Sequence, residues 1–148
     1  MNCATGSTDM MHVWRQRLLM LAAALLSGSA TIVAFLVIPL VAADTFPGAS
    51  PERAVPAFWG HVGLVRLVAA AALTASRLGP ARARLRRVLA GAAALLALVL
   101  GLLLVDAAMA FRGHGSGMYT AVVALWVCVG LDVAAGIALA VSALARQD

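Results

Sequence analysis

Asp132 stands in the middle of an apolar run from Met118 to Leu144. A carboxylate at the centre of a bilayer costs about 2.5–3.5 kcal/mol on insertion scales, so this residue is the first place to look for chemistry. Counted from Met118, it lies about 21 Å along its segment, close to the midplane. Cys128, Ala135 and Gly136 stand at i−4, i+3 and i+4 from it. Small neighbours allow a second helix to come close, so Asp132 is expected to point into a helix bundle. Ser27, Thr31 and Thr74 fall at similar depth. Two chemistries are open. One is a site that responds to protons or cations. The other is a neutral acid that donates a hydrogen bond to one of these hydroxyls, or to a backbone carbonyl, and fixes packing. Burial disfavours the charged form, and no basic partner is evident at that depth, so a neutral acid is expected.

Arg66 and Asp106 form a second constellation. Arg66 lies about 12 Å into its segment, and Asp106 lies near the end of the next one, at a depth within reach of an Arg side chain. An ion pair between them is expected. Anion capture, snorkelling of Arg66 alone, or a reach towards Asp132 are the alternatives. A third group is His61, Met109, His114 and Met118, all placed near one rim. Thioethers and imidazoles suit Cu(I). No MxxM or HxxxH spacing supports that chemistry, so these are weak metal candidates, and neither a metal nor another cofactor is expected. Met10-Met11-His12 with Cys3 reads as a disordered polar tail. The chain carries no phosphate loop, Ser/His/Asp set, paired carboxylates or zinc motif, and catalysis is not expected.

The elements that must position these residues follow from composition. Of 148 residues, 64% are hydrophobic and 11% are charged, and mean hydropathy is +1.00. A soluble domain averages about 25% charged residues. The bilayer must therefore be the solvent. Four apolar segments, at residues 18–43, 58–78, 88–111 and 118–145, are each long enough to span. They are flanked by an N-terminal tail, 1–17, and a short C-terminal tail, 146–148. The connection 44–57 holds Pro47, Gly48, Pro51 and Pro56 and should be irregular or a short surface helix. Pro39 should kink or fray the end of the first segment. The second connection is the basic stretch GPARARLRR, and the third is the Gly-rich turn RGHGSG.

All eleven basic residues are Arg. Arg15, Arg17, Arg77, Arg82, Arg84, Arg86, Arg87 and Arg146 fall on one side, against Arg53 and Arg112 on the other. The positive-inside rule then makes both termini cytoplasmic. These arginines also account for the net charge of +5 as headgroup contacts, so no nucleic-acid partner is expected. The first apolar run exceeds a signal-peptide core, and a retained helix is expected. Cys3 and Cys128 are too far apart in the topology for a disulfide framework. Trp14, Trp59 and Tyr119 fall at segment borders as interfacial anchors. The Arg-, Ala- and Leu-rich usage points to a GC-rich bacterial genome, hence to a bacterial inner membrane.

The stretches FLVIPLVAADTF and SPERAVPAFWGHVGL, with a later His-Gly-Ser turn, carry a resemblance through Pro39, Phe58, His114, Gly115 and Ser116. The chain resembles small bacterial four-helix membrane proteins of unknown function, relatives of a eukaryotic transmembrane family linked to metal-drug resistance. It departs from them in lacking a longer third loop. The resemblance implies a fold and no established activity.

The expected molecule is thus all-α: an integral membrane four-helix antiparallel bundle. Its expected role is that of a non-catalytic accessory or packing subunit of a membrane complex. The alternative is a small oligomeric transporter or channel-like protein that uses Asp132, Arg66 and Asp106. The lipid bilayer is the expected environment, and a homo-oligomer or a larger membrane complex the expected assembly. Gly91, Gly101 and the small-residue face of the last segment offer surfaces for such association.

Overall fold

The computed structural model describes residues 5–43, 51–113 and 118–145, with side chains in the first helix described from Met10 onward. Helix α1 is Thr5–Ile32. A π-helical turn, Val33–Val37, joins it to α2, Ile38–Ala43. Helix α3 is Pro51–Arg77. A 3-10 turn, Pro80–Arg82, leads into α4, Ala83–Phe111. Helix α5 is Tyr119–Leu144. The first span is α1 continued through α2, and α3, α4 and α5 make the other three.

Each span packs on the next in sequence, and α1 also packs on α5. This closes an antiparallel four-helix ring. All four helices are long and apolar enough to cross a membrane, and the chain reads as a multi-pass membrane protein. Side-chain placement agrees. Phe35, Leu67, Leu95, Leu102 and Leu144 are all well exposed. In water such a surface would be a liability; against lipid tails it costs nothing.

The elements differ from the sequence reading at four places, each with a local cause. Of the two outcomes expected at Pro39, a kink or fraying, the span does not fray, and its helix is distorted just before the proline. Its missing N–H leaves the helix one bond short and its ring crowds the preceding turn. The chain responds by widening: Ile38 donates its backbone N–H to the Val33 carbonyl, a five-residue step, and helix resumes to Ala43. Second, α3 starts at Pro51 rather than at residue 58. Proline suits the first helical turn, where its N–H has no intrahelical acceptor. Pro56, inside the helix, forgoes a single bond. Third, the N-terminal segment carrying Met10, Met11 and His12 is helical, not an irregular tail. The GPARARLRR stretch is likewise mostly helix, because α4 already begins at Ala83.

The bundle interior is built from small side chains. Ala22, Ala23, Ala30, Ala72, Ala97 and Ala121 are buried, with Leu26, Leu100, Leu104, Leu125 and Leu139 filling between them. Without a hydrophobic force between helices in lipid, such close packing is what holds spans together. At the end where the chain enters and leaves the bundle, Arg15 donates to the Ala145 carbonyl at the C-terminus of α5. A guanidinium there satisfies an orphan carbonyl and meets the negative end of the helix dipole. Arg86 lies 3.5 Å from His12 at the same end. The arginine-rich stretches therefore gather at one end of the bundle.

Candidate intramembrane polar site

Helix α5 presents Ala121, Ala124, Leu125, Cys128, Asp132, Ala135 and Leu139 to the interior. The three- and four-residue spacing is that of one helical face. Asp132 lies on it and is fully buried. Gly101 of α4 is pressed against it: a Cβ built on Gly101 would lie 3.5 Å from the Asp132 Cβ. One turn earlier, Cys128 Sγ lies 3.7 Å from the Ser29 carbonyl of α1 and donates to it.

The partner of Asp132 is His61. Its Nε2 lies 3.5 Å from Asp132 Oδ2, and the two side chains are 7% and 0% exposed. The geometry falls short of a good hydrogen bond, and both Asp132 oxygens and His61 Nε2 are otherwise enclosed without a partner. Coulomb attraction between such groups is strong where water is excluded. Two ionisable groups side by side in such a place offset part of the cost that either would carry there alone.

Here the sequence reading is corrected. It placed His61 at the rim and saw no basic group at the depth of Asp132. Counting from residue 58 makes His61 shallow. Counting from Pro51, the true start of α3, puts it about 15 Å into the helix. The register of Phe58, His61, Val62, Val65, Val68 and Ala69, all buried, is the signal that marks His61 as inward-facing.

The three hydroxyls expected near Asp132 are turned elsewhere. Ser27 donates to the Ala23 carbonyl, Thr31 to the Ser27 carbonyl and Thr74 to the Ala70 carbonyl, each at 2.8 Å. These are bonds back to each residue's own helix, the usual resort of a hydroxyl with no other partner in lipid. All three residues are exposed. On α1 the face was misread: the interior stripe runs through Leu26, Ser29, Ala30 and Val33. Thr74 was misplaced in height as well, because it stands 13 residues beyond His61 on the continuous α3, about 20 Å along the helix. Ser29, which the sequence reading passed over, is the buried hydroxyl of α1. Replacing Ser27, Thr31 or Thr74 by Ala should therefore change stability by no more than about 0.5 kcal/mol. Thermal unfolding in detergent measures this, and a larger loss at any of the three would place it in the interior.

Arg66 and Asp106 are both exposed, and the structure does not join them. Each stands one or two positions off its helix's inner stripe, Val65 and Val68 on α3, Leu104 and Ala108 on α4. Arg66 is thus placed to snorkel along lipid. Of the metal candidates, Met118 is buried and Met109 exposed, while His61 faces Asp132. His114 lies outside the described residues, as does Cys3. Among the described residues, no three His, Cys, Asp or Glu side chains gather as a metal centre requires.

Beside His61, between α3 and α4, lies an apolar cavity of about 450 Å³. Phe58 and Phe111 line it and stack on each other at 6.1 Å between ring centres. Comparison with family models, with curated proteins and with solved structures finds no match for the chain, so its own geometry is what argues for a role.

Proposed function

We propose that the protein is a non-catalytic, multi-pass component of a bacterial cytoplasmic membrane, acting as an accessory or packing subunit rather than as a pore. The observation that carries this reading is the closure of the bundle around Asp132. The residue has no exposed surface, and Leu100, Leu104, Leu125 and Leu139 around the interior are each no more than 2% exposed. A single bundle so filled offers ions no polar path. The heavily apolar outer faces suit packing against other membrane helices.

The arginine bias sets the proposed orientation, with both termini and the basic second connection in the cytoplasm. Topology reporters fused after Gly79 and at Asp148 should both read cytoplasmic. A periplasmic signal at either position overturns the orientation. For the role itself, the tagged protein, solubilised mildly from native membranes, should run with a second membrane protein at fixed stoichiometry. The same protein alone in liposomes should pass no protons.

A second reading is favoured by one observation, the His61–Asp132 contact. Two ionisable groups in contact inside a membrane are the elements of a proton-responsive carrier. On that reading the working residues are His61 and Asp132. Arg66 and Asp106, named from sequence, stand on the outer faces. Proton flux in liposomes that Asp132→Asn abolishes without loss of folding would establish it in place of the first.

A further inference from the structure

The cavity between α3 and α4 is a groove that runs from the ends of the two helices towards their middle. Ala54 and Phe111 line its outer end, and Leu64 and Leu100 its inner end. The outer end belongs to the side of the bundle away from the arginine-rich second connection. Leu64 and Leu103 are 42% and 58% exposed, so the groove opens sideways to where lipid tails lie. Its lining is apolar but for His61, which is buried beside Asp132. The walls therefore suit a hydrocarbon chain.

What selects among such chains stands at the outer mouth. Ala57, Gly60 and Leu64 of the lining are spaced three and four residues apart, which is one face of α3. Four residues back from Ala57 on that face stands Arg53, which is exposed. On α4, Arg112 follows directly on Phe111 and is also exposed, a second positive charge at the same rim. Among the described residues neither arginine is in an ion pair. Two carboxylates stand near them in the chain. Glu52 is about 100° around α3 from Arg53, and Asp106 is about 9 Å along α4 from Arg112.

An apolar groove headed by an unpaired guanidinium matches a molecule with an anionic head and an apolar tail. Length agrees with that match. Arg53 to Leu64 is about 16 Å along α3, and one leaflet's share of the hydrocarbon core is about 15 Å. The guanidinium fork pairs its N–H donors with phosphate oxygens. We propose that this groove holds an acyl chain of a phospholipid from the leaflet at that end, with the lipid's phosphate accepting hydrogen bonds from Arg53. The site stands independently of the accessory-subunit reading.

The test uses the full chain, stripped of lipid in detergent, and native mass spectrometry, which counts lipids bound per chain. Phosphatidylglycerol with palmitoyl and oleoyl tails is the probe. Gly60 lines the groove, and a Cβ added there meets nothing within 4 Å, so Gly60→Leu should fold, fill the space and lower the saturating number of bound lipids by one. That difference isolates the groove from lipid held by the arginine-rich end. At the isolated site, diacylglycerol with the same tails and no phosphate should bind about tenfold more weakly or worse. Arg53→Ala should weaken phosphatidylglycerol to that level, and inorganic phosphate at millimolar concentration should displace none of it. Equal binding of the two lipids would reduce the groove to an apolar void and overturn the proposal. So would unchanged binding in Gly60→Leu or in Arg53→Ala, or displacement by inorganic phosphate alone.

Discussion

His61→Leu and Asp132→Ala should each destabilise the folded protein by about 1–3 kcal/mol, the cost of leaving a buried polar group without its partner. The double variant should lose less than the sum of the two, by about 0.5–3 kcal/mol, because the second change removes the group that the first stranded. Reversible unfolding in mixed detergent supplies all four corners of the cycle. Simple additivity would mean that the 3.5 Å approach carries no energy. Asp132→Asn separates packing from proton exchange. The amide has nearly the shape of the acid and can hydrogen-bond to the imidazole, so folding should be close to wild type. It cannot release a proton, so any proton-coupled activity should vanish.

The second large effect is expected at Gly136, one turn beyond Asp132 on the same seam. A Cβ there would fall 2.9 Å from Leu98 Cγ and Cδ2, and 3.4 Å from the Ala94 carbonyl oxygen. The Leu98 side chain can move in part; the carbonyl belongs to the α4 backbone and cannot. Forcing α4 and α5 apart also opens the packing of Gly101 against Asp132. Gly136→Val should therefore cost about 1–3 kcal/mol through overpacking. Gly130, on the same helix, has nothing within 4 Å of an added Cβ. Gly130→Ala should be neutral or stabilising by up to about 1 kcal/mol, since alanine is the better helix former. The opposite signs test whether the small residues serve contacts inside one chain. If both substitutions proved harmless to the monomer and instead broke an oligomer, the seam would lie between chains.

The contrast between these glycines shows what was and was not legible in the chain. Four spans were legible because hydrophobic runs of that length have one solution in lipid. Asp132 was legible as inward-facing because small residues surround it at helical spacing. Its partner was not. The proline-rich stretch 51–57 reads as a breaker, and only the continuous α3 from Pro51 carries His61 to the depth of Asp132. The error over Ser27 and Thr31 has a different origin, whereas Thr74 also lies about 20 Å along α3 from His61. Depth along a helix fixes height, whereas contact also needs the right face, and adjacent positions differ by about 100°. Ser29 lies on the inner face of α1, and its carbonyl meets α5 through Cys128. Arg66 and Asp106 stand on exposed faces outside the inner stripes of α3 and α4, and spacing along the chain alone does not show that. Gly91 was read as a surface for association between chains, and a Cβ there meets nothing within 4 Å among the described residues. Gly101 meets Asp132, and that is a tertiary fact no local pattern encodes.

The central claim is that a membrane-spanning bundle closes around His61 and Asp132 as a contacting pair. Solid-state magnetic resonance on the full chain in lipid, with nitrogen labels in histidine and carbon labels in aspartate, measures that contact directly. Asp132→Asn serves to assign the signal. A strong dipolar coupling between the His61 Nε2 and the Asp132 carboxyl carbon, matching the 3.5 Å separation of nitrogen and oxygen, is the predicted result. A His61 ring that shows no coupling to Asp132, and exchanges with water like a rim residue, would contradict the account.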